Sequence, residues 1–290
     1  MATNKQVLKA NEILGEIIQK VGKQEYASKG YSNPLAELKR DFIDSATKIE
    51  EIYVERALAQ EQDPTGVDTL KRVKQDIKTK YRQENYAKCY TISIQDNEVK
   101  EGFTTKQGIQ KLADKKIEAL NRGISVDEFK AMSDTINKIN ELENIKKTTI
   151  ADISTNKGVL GLLEKIEEDS DMMTFSSKDY NTAFECDTPK ERQMIITTPT
   201  VYARIKTELA NIYNCSLVDL KHRVKLIKEF TDSNVKLMLV DEEILRVHPT
   251  LYNHETQRNA KGMFTNHHVN VSYIMAVSEM YNGVVYTTAQ

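Results

Sequence analysis

The stretch from Thr47 to Lys100 constrains the fold most, because it is long, polar and interrupted in the middle by Asp63-Pro64-Thr65-Gly66. Proline presets φ for a turn and glycine accepts the positive φ that often follows, so the chain is expected to reverse there. The two arms carry opposite charge. Before the turn stand Glu50, Glu51, Glu55, Glu61 and Asp63 against Lys48 and Arg56; after it stand Lys71, Arg72, Lys74, Lys78, Lys80, Arg82 and Lys88 against Asp68, Asp76 and Glu84. Tyr90, Ile92 and Ile94 alternate, so at least the end of the second arm reads as a strand. A long hairpin with so few apolar residues cannot supply its own core and must lie on its own body or on another molecule.

The rest of the chain is able to provide such a body. A chain of 290 residues buries roughly three quarters of its unfolded surface, as one large domain or two to three small ones. Apolar residues make up 39% and charged residues 29%, the balance of an ordinary globular protein. A net charge of -2 predicts no global attraction to nucleic acid or membrane. The absence of any run of about 18 apolar residues, and an amphipathic amino terminus, lead us to expect neither a membrane protein nor a secreted precursor. Cys89, Cys186 and Cys215 are far apart and lack a CxxC spacing, which fits reduced thiols without a joint role.

Helical spacing of Val7, Leu14, Ile17, Ile18 and Val21 before Gly22 predicts a helix over 4–21, and a second short helical pattern covers 33–44. Ile109, Leu112, Ile117 and Leu120 predict a helix ended by Gly123, with another starting near Ser125 and carrying Val126, Phe129, Met132, Ile136 and Ile139. A short strand is expected over 147–153. Asn156 then caps a helix with Val159, Leu162, Leu163 and Ile166.

Beyond it, strand and helix alternate. RQMIITT reads as a strand, Thr198 and Pro199 as the cap and first position of a helix, and Ser216 with Asp219 as the start of another. KLIKEF and VKLMLVD are apolar runs of strand length. HHVNVSYIMAVSEM alternates, and Asn282-Gly283 predicts a hairpin into VVYTT. The class is α+β, without internal repeats.

Four of the five histidines, His248, His254, His267 and His268, fall within 21 residues. Their spacing matches neither the i, i+4 pair of a zincin helix nor a short ligand loop, and adjacent histidines on a strand point to opposite faces. No metal, cofactor or catalytic residue is assigned; a metal-dependent enzyme using the His248 to His268 cluster is kept as a minor alternative. Glu242 and Glu243 beside Asp241 read as a solvated helix start rather than an acid-base pair. Walker and GxGxxG spacings are absent, and the glycines of GVLGLL lie inside an apolar helix. The basic arm from Lys71 to Lys88, with Tyr81 and Tyr86, has the composition of a nucleic-acid surface, but its acidic neighbour favours a solvated charged hairpin or a protein docking arm.

Several segments, in order, resemble the major capsid (head) proteins of tailed bacteriophages with the Hong Kong 97 fold, in the form found in short-tailed phi29-type viruses. They are IEEIYVERALAQEQ (Ile49 to Gln62), VKQDIKTKYRQENYAKCYTISIQDNEVKEGF (Val73 to Phe103), ISVDEFKAM (Ile124 to Met132), LLEKIEEDSDMMTFSSKDYN (Leu162 to Asn181) and ILRVHPTLYNHETQRNAKGMFTNHHVNV.

The resemblance implies an amino-terminal arm and lead-in helix over 1–44, an extended E-loop over 45–100, a peripheral domain with a long spine helix over 101–150, an axial domain over 151–254, and strands over 255–290 that return to the peripheral domain. It implies a virion capsid protein, assembled in the bacterial cytoplasm without enzymatic activity. Its partners would be many copies of itself in pentamers and hexamers, a portal protein, a scaffolding protein and non-specifically held double-stranded DNA, with no membrane. An encapsulin-like compartment shell is the alternative within the same fold. Glu50, Glu51, Glu55, Arg56, Lys71, Arg72 and Lys74 are the expected intersubunit ion-pair residues. Phi29-type head proteins also carry more chain before the Asn33-Pro34-Leu35 segment and an immunoglobulin-like carboxyl-terminal module, which has no counterpart among these residues. No pattern argues for self-catalysed Lys-Asn cross-linking.

Overall fold

The computed structural model describes residues 31–43, 47–59, 74–95, 106–213 and 223–289, with the side chains of 106–113 and 212–213 left aside. The expected helices over 4–21 and after Ser216, and the turn at 63–66, lie outside the described residues. The elements are β1 (Lys48–Val54), β2 (Ile77–Gln83), β3 (Tyr86–Gln95), α1 (Lys106–Asn137), β4 (Lys146–Ile150), α2 (Asn156–Met172), β5 (Gln193–Thr197), α3 (Pro199–Tyr213), β6 (Arg223–Leu226), β7 (Val235–Asp241), β8 (Leu245–Asn259), β9 (Phe264–Val277) and β10 (Gly283–Thr288). The described chain falls into two compact units.

The first unit holds residues 31–33, 88–95, 106–128 and 252–271. Strands β3, β9 and β8 form a three-stranded sheet in that order. Within this unit α1 is tied to β3 by polar contacts: Lys88 and the Tyr90 hydroxyl both reach Asp127, at 3.3 and 3.0 Å, and Lys116 donates to the Ser93 carbonyl at 3.1 Å. Leu120, Ile124, Val269 and Val271 are its buried apolar residues.

The second unit holds the remainder and is built on a mixed five-stranded sheet in the order β4-β10-β7-β5-β6. β10 runs parallel to β4 and antiparallel to β7; β5 runs antiparallel to β7 and parallel to β6. Ile195, Leu237, Leu239, Val284 and Tyr286 share one core with Val159, Leu162 and Ile166 of α2 and Val201 and Ile205 of α3. All five residues of β5 are buried, the burial expected of a central strand covered on both faces. A buried carboxylate anchors this core: Asp169 accepts from Lys146 (3.0 Å), Tyr180 (3.0 Å) and Tyr286 (2.8 Å). Burial, then the Asp169 charge, pushes both phenols upward in pKa, so they remain hydrogen-bond donors.

Several expectations are corrected. Gly123 does not end a helix, because α1 is continuous from Lys106 to Asn137. Leu120, Ile124, Glu128, Met132 and Ile136 are buried at every fourth position, and that stripe outweighs the roughly 1 kcal/mol a helical glycine costs. The pattern over 33–44 yields a short turn of 3₁₀ helix at Ala36–Leu38 rather than a helix. Thr155 rather than Asn156 caps α2, its Oγ1 accepting from the Gly158 amide at 3.1 Å. Asn282-Gly283 does not close a hairpin of β9 on β10. Instead β10 enters the five-stranded sheet between β4 and β7, because its apolar VVY run is buried there.

Candidate assembly surface

β1 and β2 form an isolated antiparallel ribbon in the second unit, with Glu50 opposite Tyr81, Glu51 opposite Lys80 and Tyr53 opposite Lys78. Side chains alternate between its faces, and the two faces are unlike. Glu51, Tyr53, Lys78, Lys80 and Arg82 turn inward. Tyr53 packs edge-on against Phe184 with centroids 4.8 Å apart, and its hydroxyl donates to the Glu185 carbonyl at 3.0 Å. Lys78 sits 4.9 Å over the Phe184 ring and donates to the Ala183 carbonyl at 3.2 Å. Lys80 pairs with Glu279 at 3.0 Å. The opposite face carries Ile52, Val54, Ile77 and Tyr81, all at least half exposed.

The root of the ribbon is held by a dense ionic network. Glu51 is 6% exposed; its two carboxylate oxygens accept from Arg246 Nε at 2.9 Å and from Arg82 Nε at 3.1 Å. Arg246 spends its other nitrogens on Glu243 and the Tyr281 hydroxyl, each at 2.7 Å. Arg40 completes the network by donating to Glu243 at 2.7 Å and to the Glu242 carbonyl at 3.0 Å. Burial alone would raise the Glu243 carboxyl, but Arg40 and Arg246 outweigh it and hold the group below its ordinary range. Glu242 also pairs with Arg223, and buried Asp241 accepts from Arg192 at 2.5 Å. The acidic trio is therefore no solvated helix start: Glu242, Glu243 and Ile244 form one 3₁₀ turn whose carboxylates clamp four arginines together with Asp241.

Among the seven charged residues singled out in the sequence, Glu51 is turned inward and committed within its own chain. Glu50 accepts from the Tyr81 hydroxyl at 2.9 Å, Arg56 donates to Glu185 at 2.7 Å, Glu55 is half-buried, and Lys74 is exposed. The bond from Arg56 lowers the Glu185 carboxyl. Lys71 and Arg72 lie outside the described residues. The sequence reading weighs charge, takes Tyr81 only as part of the basic arm, and assigns no role to Ile52, Val54 and Ile77. The available signal was parity: Ile52 and Val54 share a strand face with Glu50, whereas Tyr53 shares one with Glu51. Tyr86, read with Tyr81 as a stacking residue, is instead packed edge-on against Tyr273 at 5.7 Å.

The histidines separate in space. His248 Nδ1 lies 3.2 Å from the Asp41 carbonyl in the second unit, and burial lowers its pKa. In the first unit His268 Nδ1 lies 2.9 Å from Thr91 Oγ1, while His254 and His267 meet across β8 and β9 with ring nitrogens 3.3 Å apart. His267 and His268 make separate contacts, as adjacent positions on a strand should, and the strand register brings His267 to His254, 13 residues away in sequence. Among the described residues no group of three or more His, Cys, Asp or Glu side chains is placed to hold a metal ion.

The chain matches the family model described as Phi29-like phage major capsid protein over residues 2–287. It is similar to the major capsid protein of Bacillus phage GA-1, 24% identical over 95% of this chain and 60% of that one. It is also similar to that of Bacillus phage B103, 24% identical over 96% of this chain and 64% of that one. The chain thus spans less than two thirds of the length of these relatives. Among solved structures, a chain in the capsid of Staphylococcus phage Andhra aligns with a TM-score of 0.70 at 15% identity, covering 92% of this chain and 87% of that one. A chain of the cyanophage P-SCSP1u capsid aligns with a TM-score of 0.57 at 10% identity, covering 93% and 91%. The α+β fold is that of tailed-phage capsid chains, the Hong Kong 97-like class expected from the sequence. Match, fold and segment order agree, and the chain belongs to the Phi29-like phage major capsid protein family.

Proposed function

We propose that this protein is a major capsid protein that self-assembles into the icosahedral head of a tailed phage around double-stranded DNA, and that it has no enzymatic activity. The observation that carries this reading is the two-faced ribbon: its inner face is anchored by ion pairs and a tyrosine, while Ile52, Val54, Ile77 and Tyr81 stand exposed on the other. A two-stranded ribbon does not stabilise itself in water. An apolar face on it is a cost until something covers it, and a neighbouring copy in a closed shell does so in every position. Each covered aliphatic or aromatic side chain is worth at most about 1.5–3 kcal/mol, and a shell repeats the contact many times.

In this reading the ribbon is the E-loop, α1 the spine helix of the peripheral domain, and the five-stranded sheet with α2 and α3 the axial domain, meeting its copies in pentamers and hexamers. This moves β4 and β10, expected in the peripheral domain from the sequence, into the axial one. Glu55, Lys71, Arg72 and Lys74 add intersubunit ion pairs of at most about 1 kcal/mol each. A portal protein, a scaffolding protein and non-specifically held DNA are the other partners, without a membrane. Assembly takes place in the host cytoplasm and the product resides in the virion. Negative-stain micrographs and sedimentation of the purified chain, with and without a scaffolding protein, test the proposal. Closed shells of uniform size are expected; monomers alone under both conditions would overturn it.

A further inference from the structure

The facing pair His254 and His267 has no part in the ribbon or in either core. His254 Nε2 on β8 lies 3.3 Å from His267 Nδ1 on β9, with the rings 14° from parallel and their centroids 5.5 Å apart. Two imidazole nitrogens bound to one tetrahedral zinc at about 2.0–2.1 Å are themselves about 3.3 Å apart. The spacing of a shared ligand pair is thus already set by the strand register, and only ring rotation is needed to aim both lone pairs at one point. His254 is exposed and His267 half-buried, so a hydrated ion can reach both.

The geometry points to a surface site for a zinc-class divalent ion, in which His254 Nε2 and His267 Nδ1 are the two protein ligands and water fills the remaining positions. Imidazole nitrogen suits Zn²⁺, Cu²⁺ and Ni²⁺ and not the hard cations Mg²⁺ or Ca²⁺. Both rings must be neutral to bind, each keeping its proton on the other nitrogen. His268 belongs to a different contact, with its Nδ1 on Thr91. The bound ion would clamp β8 to β9 near the Asn259 to Phe264 turn.

Equilibrium dialysis of the unassembled full chain against Zn²⁺ at about pH 7.5 tests this, with Mg²⁺ as the control ion. One Zn²⁺ per chain is expected, weakened about tenfold or more in each of His254→Gln and His267→Gln and unchanged in His268→Gln. Circular dichroism spectra superimposable on the wild type confirm that the variants fold. Three results would overturn the site: no Zn²⁺ bound by the wild type, Zn²⁺ bound equally by the His254 and His267 variants, or loss as great in His268→Gln.

Discussion

Arg246 of β8 donates Nε–H to Glu51 of β1 across 2.9 Å, joining the root of the ribbon to a strand 195 residues further along the chain. Arg82 of β2 takes the other carboxylate oxygen at 3.1 Å, so one buried acid locks both ribbon strands. Removing one partner of a buried pair leaves the other charge uncompensated. Glu51→Gln is therefore expected to cost about 3 kcal/mol, read as a lower urea midpoint; a loss under about 0.5 kcal/mol would show that the lock is not formed in solution.

The same network predicts acid sensitivity. Glu243 has a folded pKa below its ordinary value of 4.5 because Arg40 and Arg246 together outweigh its burial. A depressed carboxylate contributes stability that is fully present above the unfolded value and lost as pH falls through the folded one. The wild type should lose stability below about pH 4.5 more steeply than Glu243→Gln, which starts lower and falls less. Parallel curves in denaturant titrations between about pH 7 and pH 3 would contradict this.

Two glycines of α2 should respond in opposite directions. A Cβ on Gly158 would stand 2.0 Å from the Asp152 carbonyl oxygen, whereas one on Gly161 meets nothing within 4 Å. Gly158→Ala must displace backbone and should destabilise by about 1–3 kcal/mol. Gly161→Ala should stabilise by about 0.5–1 kcal/mol through helix propensity. Thermal melts of both variants decide the matter, and equal shifts would count against the packing at Gly158.

Ile52 and Val54, 59% and 50% exposed, separate assembly from folding. The double variant Ile52→Asp, Val54→Asp should leave the unassembled chain within about 0.5 kcal/mol of the wild type yet abolish shells in sedimentation. Undiminished shell yield would mean that this face is not the buried one.

Thiol reactivity should also differ between sites. Burial pushes the Cys186 thiol up to about 11, and its Sγ donates to the Met280 carbonyl at 3.0 Å. Cys89 is exposed. A brief iodoacetamide pulse on the unassembled chain should label Cys89 and spare Cys186 until denaturant is added, because the thiolate is the nucleophile. Peptide mapping in which Cys186 reacts as fast as Cys89 would refute the burial.

Local pattern alone determined much of this protein. Alternation and capping chemistry placed VKLMLVD, RQMIITT and the Thr198-Pro199 helix start where the structure has β7, β5 and α3, because those segments bury their apolar residues whatever their neighbours. The order of the resembling segments reached the family. Tertiary structure decided what depends on partners distant in sequence. A helix passes through Gly123 because a buried stripe continues beyond it. β10 leaves the expected Asn282-Gly283 hairpin because a buried slot between β4 and β7 takes its apolar run. Glu51 faces Arg82 and Arg246 of its own chain, which composition could not reveal, since residues on alternate strand faces look alike until their partners are in place. His254 and His267 meet for the same reason: strand register, not sequence spacing, sets the distance between their rings.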